Sequence, residues 1–322
     1  MKVDTMSVSG LKILITGGAG FIGSHLSERL LREGASVTIF DNLNTGREEN
    51  LASIRTHSGL RFIKGDIRNR AMVDETVPGH DAIFHFCDDS DIRGAAGHPD
   101  SYVEQNIMGL FYVLEAMRKH KINKILFPSS TTVFGEAKWP CSESHGPLIP
   151  LSLYGGAKLA AEGLISAWAH TFDFNACVFR FVGIIGGRMD HGVVHDFVRK
   201  LEKNPHELEV LGAGTQQRSF LLIDDCVDAM LTCFERVNDR YRLVHIGNVD
   251  QIPIREVAEI IPHALGLRDV RVKPTGDGVG WKGDLTSNFI LTETLDSLKW
   301  KPKYSSAWAV HEAALRLHGK KV

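Results

Sequence analysis

The sequence predicts an α/β fold, a doubly wound parallel sheet with a smaller, interleaved C-terminal substrate lobe. Three observations carry that expectation. A β-branched run ends in a glycine string that opens an amphipathic stretch, and short apolar runs then alternate with helix-like segments as far as residue 181. Nearly continuous apolar strands separated by helices mark a parallel sheet covered on both faces. The chain of 322 residues, 43% hydrophobic and 24% charged, is long enough to bury a full core in one large domain or two lobes.

Lys12-Ile-Leu-Ile-Thr16 reads as the first strand, Phe21 to Glu33 has helical periodicity, and Ser36-Val-Thr-Ile-Phe40 is a second β-branched run. Together they form a βαβ unit. Strand-like runs recur at Leu60 to Lys64, Ala82 to Phe86, Lys124 to Pro128 and Ala176 to Phe181, with helix-like segments at Ser101 to His120 and Tyr154 to Thr171. After Gly183 the pattern loosens into Gly186-Gly187-Arg188, a helix-like Val193 to Asn204 and a turn at Gly212-Ala213-Gly214. Ile223 to Val237 reads as a helix returning to the first lobe, followed by Leu243 to Ile246 as a strand. Pro262, Pro274 and Pro302 are expected to break the tail that starts at Ile252. The predicted division is residues 1–185 with 221–247 for the dinucleotide-binding lobe, and 186–220 with 248–322 for the substrate lobe.

A formal net charge of -2 provides no field to gather nucleic acid or anionic lipid, which leaves a small molecule as the expected partner. Five cysteines without a C-x-x-C pair suit reduced thiols in a cytoplasm. Met1 to Gly10 is polar with no apolar h-region, and no run of about 18 apolar residues is present, so neither a signal segment nor a spanning helix is expected.

Gly17-Gly18-Ala19-Gly20-Phe21-Ile22-Gly23 follows the first strand and opens the first helix, the setting a phosphate-binding turn requires. Gly17 permits the tight turn, Gly20 lets backbone approach a pyrophosphate, and Gly23 lets the helix lie close on the strand. The spacing fits both G-x-x-G-x-x-G and G-x-G-x-x-G. Asp41 ends the second strand, where a carboxylate accepts from ribose hydroxyls and repels a 2'-phosphate, which selects NAD over NADP. Arg47 nearby leaves NADP open, and an Asx turn with Asn42 would also explain Asp41.

Tyr154 and Lys158 stand four apart in a predicted helix and share a face. A tyrosine of ordinary pKa near 10 needs roughly 4 kcal/mol of preferential phenolate stabilisation to act as a base at pH 7, and an adjacent ammonium is one source of it. Tyr154 would then move a proton on a substrate hydroxyl, with Ser130 donating to the developing carbonyl oxygen.

Thr16 to Gly23, Asp41-Asn42, Gly65-Asp66-Ile67, Asn106, Ser129 to Gly135, Tyr154-x-x-x-Lys158 and Gly212-x-Gly214-x-Gln216-x-Arg218 stand in the order found in the extended short-chain dehydrogenase/reductase family. The chain resembles in particular the nucleotide-sugar epimerases related to UDP-glucose 4-epimerase, over nearly its whole length. The resemblance implies a seven-stranded Rossmann-like sheet and a tightly held NAD. Cofactor contacts are implied from Gly17, Gly20, Phe21, Ile22, Gly23, Asp41, Asn42, Thr45, Gly46, Asp66, Ile67, Phe86, Cys87, Asp88, Asn106, Tyr154 and Lys158. It further implies Ser130, Tyr154 and Lys158 as catalytic residues, with Ser130, Phe181 and Arg218 on a nucleotide-diphosphate sugar, and a homodimer through the helices around 102–120 and 154–170. The 4,6-dehydratases of the family place an Asp-Glu pair after the equivalent of Ser130, and the UDP-glucuronate decarboxylases usually a Glu. Here Thr131 and Thr132 occupy those places, which leaves epimerisation at C4. A single-pass NAD-dependent reductase or dehydrogenase, and a non-catalytic NAD-binding protein, are the alternatives.

The sequence departs from the family pattern in three places. His85-Phe86 is followed by Cys87-Asp88-Asp89 instead of Ala-Ala or Ala-Gly, Gly183 replaces an Asn, and Trp281-Lys282-Gly283-Asp284 lacks an expected arginine. His191 and His195, spaced i, i+4, lack the Glu of a zinc motif and read as polar surface residues. Asp224-Asp225 reads as a helix start, where acids favour the dipole.

Overall fold

A computed structural model describes residues 7–90, 97–278 and 285–319. The chain opens with β1 (Lys12–Thr16), α1 (Phe21–Arg32) and β2 (Ser36–Asp41), then β3 (Leu60–Lys64), α2 (Arg70–Thr76) and β4 (Ala82–His85). A short α3 (Pro99–Ser101) runs through a π-helical stretch, Tyr102–Met108, into α4 (Gly109–His120). β5 (Lys124–Ser130), α5 (Leu153–Phe172), β6 (Asn175–Phe181) and β7 (Gly183–Ile185) follow, then α6 (Val193–Lys203), β8 (Glu207–Val210), β9 (Gln217–Arg218) and β10 (Phe220–Leu222). The remainder is α7 (Ile223–Arg236), β11 (Tyr241–Ile246), β12 (Ile252–Pro253), α8 (Ile254–Leu265), β13 (Arg271–Pro274), α9 (Glu293–Ser297) and α10 (Ser306–Leu317).

Seven strands form one sheet in the order β11-β6-β5-β4-β1-β2-β3. β1 lies between β2 and β4 and is parallel to both, with Ile13 opposite Val37 on one side and Ala82 on the other. The chain therefore winds outward from β1 through β2 and β3, then crosses back to β4. That reversal is the switch point beside which α/β sheets of this class bind ligands. On one face Leu14, Phe40, Ile83, Ile125 and Val178 pack against Val73 of α2, Leu110, Val113 and Met117 of α4, and Ala161 and Ile165 of α5. On the other, Phe84 stacks on Phe234 of α7 with centroids 5.7 Å apart, and Arg29 of α1 reaches Asp228 of α7 at 3.5 Å. Burial on both faces explains why the inner strands read as apolar runs without alternation, while the edge strand β3 leaves Phe62 36% exposed.

Two compact units divide the chain. The first holds Met1–Val133, Leu148–Arg180 and Val227–Val244; the second holds Phe134–Pro147, Phe181–Cys226 and His245–Val322. In the second unit β7 pairs with β10 in parallel, β8 with β13 in parallel and β9 with β12 antiparallel. Glu143 ties the Phe134–Pro147 segment into that unit, its carboxylate accepting from His245 N at 3.0 Å and Thr294 Oγ1 at 2.6 Å. These strands are two to four residues long, too short to show a period in sequence. Pro262 does not break the tail as expected: it lies in the last turn of α8, which continues to Leu265 and ends on left-handed Gly266. Buried Val257, Ala258, Ile261 and Leu265 offset the roughly 3 kcal/mol a helical proline costs. No helix among the described residues is long and apolar enough to cross a membrane.

Candidate active site

Gly17 leaves β1 with φ of 72°, and a Cβ there would fall 2.7 Å from the Phe86 carbonyl, so the turn admits only glycine. A Cβ on Gly23 would overlap the Gly17 carbonyl oxygen, which lets α1 lie directly on the turn. α1 starts from Gly20 with no side-chain cap and no acid in its first turn. The N–H groups that Phe21, Ile22 and Gly23 contribute there, and the positive helix end, are thus left for an anion.

Asp41 closes β2 and is buried, its Oδ2 accepting from Ala19 N at 2.9 Å and its Oδ1 from Leu43 N at 2.8 Å. Burial pushes its carboxyl up from the ordinary value, and those two N–H groups oppose the rise. The bond to Leu43 is the Asx turn anticipated from sequence. A Cβ at Gly46 would lie 2.9 Å from both Asp41 oxygens, so the Thr45-Gly46 loop runs against the carboxylate. Asn42 Nδ2 donates to Asp66 Oδ2 at 3.2 Å, while Arg68 Nη2 at 2.7 Å holds the Asp66 carboxyl well below the usual range. Ile67 is buried behind it. The ends of β1, β2 and β3 thus gather a glycine cradle, an uncapped helix and a carboxylate, a set that fits the diphosphate and adenosine ribose of a dinucleotide.

The chemistry-bearing groups collect where β4 and β5 end. The Lys158 Nζ, 2% exposed on α5, donates to Pro128 O at 2.5 Å and lies 4.7 Å from the Phe127 ring centroid. It is 5.6 Å from the Tyr154 ring centroid and 2.5 Å from Asp88 Oδ2, an ion pair whose angle falls short of a directed hydrogen bond. Burial and the Asp88 carboxylate push the Tyr154 phenol well above its ordinary value; the Ser130 side chain pulls it down and Tyr102 adds to the rise. Ser130 Oγ also accepts from Thr132 N at 3.2 Å, and the Thr132 hydroxyl is buried with no hydrogen-bond partner among the described residues. Asn106 is buried and clamps the backbone of Asp89, its Oδ1 accepting from Asp89 N at 2.7 Å and its Nδ2 donating to Asp89 O at 3.1 Å. Burial raises the Cys87 thiol. His85 shares a 2.7 Å hydrogen bond with Thr16 Oγ1, and burial followed by Lys158 lowers its pKa to about 3.

One buried contact beside these residues escaped the sequence reading. Glu162 continues the Tyr154, Lys158 spacing by four more residues, and it is 4% exposed. Its carboxylate accepts from Ser129 Oγ at 2.5 Å and from Arg180 Nε and Nη2 at 2.9 and 2.7 Å. That bidentate pair fixes the strand end from which Ser130 projects. The i, i+4, i+8 stripe was the signal for it.

In the second unit Arg218 donates from Nη1 to Gln217 O at 2.8 Å and from Nη2 to Leu285 O at 2.7 Å. Phe181 is buried at the end of β6. Gly183, where the family pattern has Asn, opposes Phe220 across the β7 and β10 pair, and a Cβ there would meet that ring at 3.0 Å. His191 bonds Asp190 at 2.6 Å and His195 lies 3.5 Å from Asp196. Asp224 and Asp225 open α7, paired with Arg316 at 2.5 Å and Lys303 N at 2.9 Å respectively. Trp281-Lys282-Gly283-Asp284 lies outside the described residues.

A parallel sheet with a glycine turn at its switch point, and a buried carboxylate at the end of the neighbouring strand, define a dinucleotide-binding α/β protein. The sequence matches the NAD dependent epimerase/dehydratase family over residues 13–247, and the chain belongs to that family. Its cofactor is NAD. It is 32% identical over 301 residues to a putative UDP-glucose 4-epimerase of Methanocaldococcus jannaschii, covering 90% of this chain and 93% of the relative. The fold superposes on a UDP-galactose 4-epimerase crystal structure with a TM-score of 0.85, at 31% identity and 97% and 100% coverage. A dTDP-glucose 4,6-dehydratase from Streptomyces venezuelae, solved with NAD bound, gives a TM-score of 0.86 at 26% identity, with 94% and 96% coverage.

Proposed function

We propose that the chain epimerises a nucleotide-diphosphate sugar at C4. NAD, when bound, would supply the reversible hydride acceptor that inversion at C4 requires. Gly17, Gly20, Phe21, Ile22 and Gly23 hold its diphosphate, Asp41 with Asn42, Thr45 and Gly46 its adenosine ribose, and Asp66 and Ile67 its adenine. Phe86, Cys87, Asp88, Asn106, Tyr154 and Lys158 serve its other end. Tyr154 takes and returns the proton of the C4 hydroxyl, and Ser130 hydrogen-bonds the same oxygen. Phe181 and Arg218 are assigned to the substrate. Electrons balance within one turnover, so no external reductant is needed.

The observation that carries this reading is the pair after Ser130. Thr131, 4% exposed, and Thr132 begin a short 3-10 turn, and neither can protonate a leaving hydroxyl as elimination of water requires. Incubation with UDP-glucose, UDP-N-acetylglucosamine or UDP-glucuronate is expected to yield the C4 epimer without added NADH. Tyr154→Phe should lower that turnover by about 10²–10⁴-fold while NAD stays bound. A 4-keto-6-deoxy product alone would overturn the assignment.

A second reading is favoured by the Asp88 to Lys158 pair. A tyrosine that rests as a phenol is suited to donating a proton to a ketone, which describes a single-pass NADH-dependent reductase. Consumption of one NADH per product formed would establish that reading instead. A cytoplasmic homodimer accompanies either one: Val103 is 53% exposed, Met108 38% and Leu153 47%, all on the helices expected to pair, and sedimentation equilibrium checks the mass.

A further inference from the structure

The epimerase reading gives the Asp88 carboxylate no part in moving the proton or the hydride, yet the structure builds a place for it. The loop after β4 is held from two sides. Asn106 grips the Asp89 backbone through both its amide atoms, and the Asp89 carboxylate accepts from Ser101 Oγ at 2.8 Å. Next to the residue held by those anchors, the Asp88 side chain, 17% exposed, turns toward Lys158, 2% exposed, and reaches it at 2.5 Å. A buried ammonium with a carboxylate against it presents far less positive charge to its other neighbours than a bare one.

We propose that Asp88 is a positioning residue: its carboxylate holds the Lys158 ammonium in an ion pair and so withholds that positive charge from the Tyr154 oxygen. The inference rests on the reading of Tyr154 as the group that transfers the proton. The groups facing Tyr154 are few. Lys158 comes from its own helix, Ser130 from β5, Tyr102 from the π-helical stretch and Asp88 from the loop after β4. His85 at the end of β4 is neutral and adds no charge. Among the described residues, Lys158 is therefore the cation in the set and Asp88 the anion. Tyr154 rests as a phenol until Asp88 is neutralised or released. This also accounts for the carboxylate at the centre of the Cys87-Asp88-Asp89 run: it sets the protonation state of the resting site.

The test reads the tyrosine directly and needs no substrate. In protein labelled with [13Cζ]tyrosine, the resonance missing from Tyr154→Phe belongs to Tyr154, and its shift against pH reports ionisation. In Asp88→Asn that resonance is expected to titrate at least one pH unit below its position in the parent chain. In Asp88→Glu, which keeps the charge, it is expected to stay near the parent value, so a merely structural disturbance, which would affect both variants, is distinguished from an effect of charge. An unchanged Tyr154 titration in Asp88→Asn, or equal lowering in Asp88→Glu, overturns the proposal. If the tyrosine moves as stated while no UDP-sugar is epimerised, the epimerase reading fails and the role of Asp88 stands.

Discussion

Arg180 and Glu162 meet through two parallel N–H···O bonds under the end of β5, both almost fully buried. Removing one partner of such a pair leaves an uncompensated charge in a medium that solvates it poorly. Glu162→Ala is expected to lower the unfolding free energy by about 3–5 kcal/mol, read from urea denaturation. It should also release Ser129, whose hydroxyl loses its acceptor. The shared face of Tyr154 and Lys158 was legible in the sequence because a four-residue spacing in a helix fixes it whatever the tertiary context, and Ser130 was marked by its place at the end of an apolar strand. The partners were not. Nothing in Cys87-Asp88-Asp89 states that the middle residue meets Lys158, because that contact depends on the path of a loop between two elements far apart in the chain. Only its departure from the family pattern marked it.

The glycine turn and α1 behave as one element. Gly23→Ala forces the helix away from the Gly17 carbonyl, and the turn can no longer present the same N–H groups to a diphosphate. NAD affinity is expected to fall tenfold or more, about 1.4 kcal/mol, measured by calorimetric titration of protein stripped of cofactor. The β7 and β10 pair offers a second case. Restoring Asn at Gly183 presses a side chain into the Phe220 ring, at an expected cost of about 1–3 kcal/mol. Combining Gly183→Asn with Phe220→Leu should recover part of it, because the two sites share one volume and their effects do not add. Thermal denaturation of the single and double variants checks this.

For the molecule as a whole, the strands through β6 and the long helices between them could be read from apolar runs and helical periodicity, since burial of the inner strands writes itself into composition, whereas the seven-residue α2 was not read. The second unit was less readable. Its strands are too short to carry a period, and α8 contains a proline that sequence rules treat as a stop. Stability against acid is also a property of the entire fold, and His85 contributes to it. Its pKa is about 3 in the folded chain and 6.5 when free, so the unfolded state binds the extra proton between those values. The contribution is complete above about pH 6.5 and is lost as pH falls toward 3, at up to about 1.4 kcal/mol per unit. His85→Gln should therefore show a smaller drop in melting temperature between pH 7 and pH 4.5 than the parent chain, followed by calorimetry.

The π-helical stretch Tyr102–Met108 takes more residues per turn than the α-helices on either side of it. Tyr102 and Asn106 are both buried along it, one packed with Ala157 and Tyr154 and the other gripping Asp89. Deleting a single residue from the stretch would wind it back to an ordinary helix and rotate everything upstream by about a quarter turn relative to α4. The aromatic ring and the amide would then point in directions that no longer serve the same neighbours. An insertion or deletion in this segment is thus a change of aim, with an effect out of proportion to the one residue gained or lost.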